Sequence, residues 1–186
     1  MKKIVCFMVA LFAFVLLNVP FGRTAEAATV AVVPIDINTD KVARASDLSS
    51  YYWDMIVERF QYPEYELMDD EKVSAILPDE GLKSFSKESL MGVAEKASAE
   101  IVVAMRITEV KETPKSFLRE PAVQCTMKGE LATFNKITGK YYYKNIYYNE
   151  QIEEVLTVRN DWQQMAFADF LRRGINRTLE DNKKKK

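Results

Sequence analysis

The chain has 186 residues, 48% of them hydrophobic and 28% charged, with a formal net charge of -1. So even a balance gives no electrostatic basis for nucleic-acid binding. There is no histidine, which removes the commonest general base and metal ligand, and with them the usual serine and cysteine triads.

Lys2 and Lys3 precede an apolar run from Ile4 to Leu17, followed by Pro20, Gly22 and Ala25-Glu26-Ala27, whose alanines supply small residues at the -3 and -1 positions of an export-peptidase site. The run is shorter than the ~20 apolar residues of a bilayer-spanning helix, and Cys6 lies inside it rather than at a lipid-attachment position. The layout predicts a cleaved secretory signal peptide at 1-27, a single α/β domain at 28-182 and a basic tail at 183-186. The mature protein is then exported, periplasmic or otherwise extracytoplasmic, and soluble, with no stable membrane insertion. Cleavage removes Lys2, Lys3 and Arg23 among the bases and Glu26 among the acids, leaving 159 residues with 23 basic and 26 acidic side chains. Cys125 is then the single thiol, so stability has to come from packing rather than from an intramolecular disulfide.

Thr29 to Asp36 is β-branched and nearly apolar on both faces, as a buried strand is. From Ser46 the period changes: Leu48, Tyr52, Met55, Ile56 and Phe60 recur at three- and four-residue steps, a helix with one buried stripe that Ser46 or Asp47 can cap. Tyr65 to Met68 reads as a short strand. Asp69 or Asp70 then caps a helix carrying Val73, Ile76 and Leu77, which Pro78 stops. Ser86 can cap a third helix through Leu90, Val93, Ala94 and Ala97, leading into a strand from Ile101 to Val110. Residues 111-121 hold Pro114, several charges and no period, and read as a loop. Ala122 to Phe134 alternates, with Val123, Cys125, Met127 and Leu131 on one face and Gln124, Thr126, Lys128 and Glu130 on the other. Asn160, with Gln163 as reciprocal partner, can cap a last helix whose inner face runs through Phe167, Phe170, Leu171, Gly174, Ile175 and Thr178. The predicted order is β-α-β-α-α-β-β-β-α, an α/β domain with an α+β tendency and a mixed sheet of about five strands packed with helices.

Five tyrosines fall within the eight residues Tyr141 to Tyr148. Reading Asn135 to Gly139 as the hairpin loop pairs Glu130 with Lys144, Leu131 with Tyr143 and Met127 with Tyr147. That register places Tyr141, Tyr143 and Tyr147 in the core. It leaves Tyr142, Lys144, Ile146, Tyr148 and Lys128 on the opposite face. That face either is covered by a helix or left half-wet with its hydroxyls hydrogen-bonded, or is a candidate partner-binding surface, since tyrosine offers a large contact area with few rotatable bonds.

Signals for chemistry are sparse. Asp69, Asp70 and Glu71 form an acidic cluster that helix capping explains, and Cys125 falls on an apolar face as a structural thiol. Asp36 ends the first strand, where α/β domains often bind ligands, and is the candidate ligand-pocket residue. There is no glycine-rich phosphate loop, CxxC pair or zinc spacing. No catalytic, cofactor-binding or metal-binding residue is assigned, and no cofactor is expected.

The exported start, the opening TVAVVPI strand, the ASAEIVVAMRITEV strand after a helix, and the hairpin ATFNKITGKYYY together resemble the periplasmic α/β domain of CsgG-type curli-assembly proteins, LpoB-type activators and the TolB amino-terminal domain. The resemblance implies a non-enzymatic envelope domain that binds other proteins or assembles. The chain lacks the lipid-anchor cysteine of the CsgG and LpoB groups and carries no evident membrane hairpins. The expectation is an exported cell-envelope adaptor or assembly domain, not an enzyme, acting through the hairpin on an envelope protein or a second copy of itself. The alternative is a small-molecule or glycan-binding module, which requires a concave pocket bordered by aromatic rings near Asp36.

Overall fold

The computed structural model describes residues 27-39, 41-42, 45-78, 80-115, 122-153 and 156-179. The proposed leader, apart from Ala27, and the lysine tail lie outside them. In chain order the elements are β1 (Ala28–Val32), β2 (Asp36–Ile37), α1 (Ala45–Arg59), β3 (Tyr65–Leu67), α2 (Asp70–Ile76), α3 (Lys87–Ala97), β4 (Ile101–Pro114), β5 (Ala122–Asn135), β6 (Lys140–Glu153) and α4 (Leu156–Leu179). The strands form one mixed sheet in the order β3-β1-β4-β5-β6, with β2 beside β4 as a sixth strand. β1 runs parallel to β3 and β4, and β2 is parallel to β4. β4, β5 and β6 form an antiparallel meander of 14-residue strands. This is the expected α/β domain, with β2 as an addition.

Alternation along β4 divides the core. Ile101, Val103, Met105 and Ile107 face α1 and α4, which contribute Leu48, Tyr52, Ile56, Trp162, Phe167, Leu171 and Ile175. Val102 and Ala104 face the other way, toward Val73 of α2 and Leu90, Val93 and Ala94 of α3. α4 approaches closely because Gly174 has no side chain: a Cβ there would run into Leu131 of β5. Thr133 donates to the Gly174 carbonyl at 3.4 Å. The short helices are capped as their sequences predict, Asp69 accepting from the Glu71 N–H at 3.0 Å and Ser86 from the Ser89 N–H at 3.2 Å.

Four boundaries differ from the sequence expectation. β1 ends at Val32, so Asp36 opens β2 instead of ending the first strand. α1 begins at Ala45, so Ser46 and Asp47 lie within the helix. α4 begins at Leu156, ahead of Asn160, whose side chain lies outside the described part of the structure. β4 continues to Pro114 where a loop was expected, because pairing with β5 supplies order that local composition does not show. Pro114 pairs with Val123 as the last residue of its strand, where a missing N–H is tolerated.

The hairpin register is the main correction. β5 and β6 pair Asn135 with Lys140, Leu131 with Lys144, Gly129 with Ile146, Lys128 with Tyr147 and Met127 with Tyr148. That is one residue from the predicted alignment, and with a side-chain period of two, a one-residue slip exchanges the faces. The cause is Asn135. Read as a loop residue, it is instead a fully buried strand residue. Its amide donates to the Thr178 carbonyl of α4 at 3.2 Å and accepts from the Thr138 N–H at 3.1 Å. The loop is therefore 136-139, closed by Gly139 at φ 69°.

Candidate functional site

The register decides what the tyrosine-rich hairpin offers. Tyr142, Lys144, Ile146 and Tyr148, the candidate partner-binding residues, lie on the face that α4 covers, the plainer of the two readings their sequence allows. Ile146 is 2% exposed. Tyr148 stacks on Trp162 with ring centroids 5.4 Å apart and an interplanar angle of 15°. Burial, then its bond to Glu150 at 3.1 Å, pushes the Tyr148 hydroxyl up to about 12. Lys144 lies over the Phe170 ring, and Arg177 over the Tyr142 ring, each at 5.6 Å. Among the five residues predicted to bind a partner, Lys128 alone faces away from α4, and it pairs with Glu109 at 2.9 Å. Tyr141, Tyr143 and Tyr147, predicted as core, belong to this opposite face. Tyr147 is 62% exposed and Tyr143 39%.

Across that face the sheet places three charged residues side by side. Asp36 of β2 and Glu130 of β5 both pair with Arg106 of β4, so the three side chains emerge in a row. The Arg106 fork is fully directed: Nε donates to Asp36 at 2.5 Å, Nη1 to Glu130 at 3.3 Å and Nη2 to the Leu82 carbonyl at 2.7 Å. Its guanidinium lies 4.9 Å from the centre of the Phe85 ring. Arginine suits such a position because its planar fork holds several acceptors at once. Glu130 also accepts from the Tyr143 hydroxyl at 2.7 Å, which pushes Tyr143 up to about 12. Tyr141 donates to the Phe85 carbonyl at 2.5 Å, fastening the 82-86 segment to the hairpin.

Two depressions flank Phe85. One, of about 400 Å³, has Arg106 and Glu130 as its floor, Tyr141 and Tyr143 on one side and the 83-86 segment on the other. A second, of about 230 Å³ and bordered by Val33, Leu77, Leu82 and Met105, contains Asp36. Asp36 thus stands in a pocket at the carboxyl end of β1, and its carboxylate is engaged by Arg106. Two acids do converge here, but on a guanidinium whose N–H groups occupy them. The arrangement offers fixed donors and acceptors rather than an acid and base facing a common reacting atom. Sequence reasoning did not single out Arg106, Glu130 or Phe85. A lone arginine in an apolar strand was the available signal, since such a side chain requires acceptors.

Cys125 is fully buried, as its apolar face implied. Among the described residues no three acids or cysteines converge as a metal site, and no helix is long and apolar enough to cross a membrane.

No protein-family model matches the chain, and no curated protein matches it in sequence. Solved structures do resemble it. A putative neuraminyllactose-binding hemagglutinin homolog from Helicobacter pylori overlays with a TM-score of 0.47 at 12% identity, covering 86% of this chain and 91% of that one. The hypothetical protein CT253 from Chlamydia trachomatis gives a TM-score of 0.42 at 14% identity, covering 83% and 95%. The LpoB C-terminal domain from Salmonella enterica gives 0.38 at 12% identity, covering 69% and 87%. An LpoB domain is thus among the solved structures this chain is similar to; the likeness to CsgG-type and TolB-type domains is a reading of the sequence.

Proposed function

We propose that the mature chain is an exported accessory domain of a cell envelope that works by binding another polypeptide along the β6 side of its sheet, without catalysis. The observation that carries this reading is the position of β6: a 14-residue strand at the end of the sheet, with no partner on its outer side among the described residues. An edge of that length presents a row of N–H and C=O groups to a further strand. Tyr147 and Tyr143 stand on the open face beside it, where an added strand would bury them. The basic start, short apolar run and Ala25-Glu26-Ala27 support export, and the absence of histidine accords with a binding role.

The test is a photo-crosslinking residue at position 147 in cells that export the protein. The expected result is a discrete adduct from position 147 and none from position 62, where Tyr62 is 82% exposed but far along the chain from the hairpin. Equal labelling at both positions, or none at 147, defeats the reading. In parallel, Tyr147→Ser is expected to leave Tm unchanged. Tyr148→Ser, which loses the stack on Trp162, is expected to cost about 2 kcal/mol, or roughly 5 °C in Tm for a domain of this size.

A further inference from the structure

The depression between the 83-86 segment and the hairpin has features of a ligand site that strand addition at β6 does not use. Its volume, about 400 Å³, falls at the small end of the ~300–1,000 Å³ range of small-molecule sites. Its charges are already paired: Arg106 with Glu130 and with the adjoining Asp36, and Lys83 with Glu80 at 2.7 Å. Phosphate would have to displace Glu130 from Arg106, and a cation would have to displace Arg106 from its acids. Either exchange gives up a charge-assisted hydrogen bond already made inside the sheet.

A neutral polyhydroxylated ligand requires no such displacement. Its hydroxyls both donate and accept, so they can add to carboxylate and guanidinium groups that already have partners. Its apolar C–H faces can cover an aromatic ring, and Tyr143 offers a half-exposed ring locked by Glu130 and standing beside Tyr141. The ring, carboxylate and fork are held before any ligand arrives, which lowers the cost of ordering them on binding.

We infer that the Arg106–Glu130–Tyr143 depression is a binding site for a neutral saccharide. The experiment is saturation-transfer NMR on the chain from Ala28 onward, with glucose, galactose, N-acetylglucosamine and their β-1,4-linked disaccharides as probes, and inorganic phosphate as competitor. The expected result is transfer to the ring protons of at least one sugar, unaffected by phosphate. Tyr143→Ala and the isosteric Glu130→Gln should each weaken it about tenfold or more, and Tyr147→Ser should leave it intact. Silence from every sugar, displacement by phosphate, or transfer that survives both site variants with Tm preserved would overturn the assignment. Because Tyr147 lies outside this depression, failure here leaves the β6 reading standing, and the crosslinking result bears on β6 alone.

Discussion

Glu130 serves two partners at once, closing the Arg106 row with one oxygen and fixing Tyr143 with the other. The second contact has a measurable signature. The Tyr143 hydroxyl is raised from its ordinary value of 10.0 to about 12, first by the hydrogen bond to Glu130 and then by burial. A raised phenol favours the protonated form in the folded state, so its contribution to stability is complete below pH ~10 and is lost as pH rises through ~12. Glu130→Gln removes the negative charge and keeps the shape. Site-resolved NMR of labelled tyrosine rings should then find Tyr143 titrating back toward about 10, with Tyr148 unmoved. A Tyr143 titration unchanged by the substitution would mean that burial, not Glu130, holds the proton. Near the same strands, Lys128 holds Glu109 below the usual carboxylate range. That pair contributes above the ordinary glutamate pKa and is lost as pH falls. It is solvent-exposed, and its effect on stability is small.

At the scale of elements, the helices were largely legible because their stripes and caps are local: Asp69 and Ser86 cap their helices as read. Pairing was not, because it depends on residues distant in sequence. Asn135 carries a turn-former's composition and becomes strand because a carbonyl 43 residues further on takes its amide proton. Gly129 shows the same dependence. It lies opposite Ile107, at the edge of the irregularity where Thr108 is left out of the β4–β5 register and donates to the Lys128 carbonyl at 3.2 Å. A Cβ on Gly129 would overlap the Arg106 carbonyl oxygen, a backbone atom that cannot swing aside. Gly129→Ala is therefore expected to destabilise the domain by about 1–3 kcal/mol and to shift backbone amide resonances of Arg106 and Glu130 on both strands. Gly92→Ala, where a Cβ meets nothing within 4 Å, should be neutral or mildly stabilising in its helix. Equal effects of the two substitutions would show that β4 and β5 can separate at the irregularity without cost.

For the whole molecule, the two ends of the sheet are unequal. β3 ends it with three residues, too few to template a further strand, whereas β6 ends it with 14. Along β6 the bases Lys140 and Lys144 occupy the first half and the acid Glu150 the second. An antiparallel pairing of two copies of β6 sets the basic half of each against the acidic half of the other, an isologous contact with a two-fold axis near the middle of the strand. Light scattering on the chain from Ala28 onward should therefore show a mass rising from monomer toward dimer with concentration. Lys144→Glu should push the equilibrium back toward monomer, because it sets acid against acid twice in each dimer, and raising the salt should reduce the difference between the two proteins. A monomer at every concentration and salt would rule out a second copy as the occupant of this edge and assign it to a different protein. A dimer indifferent to Lys144→Glu would place the contact elsewhere on the molecule.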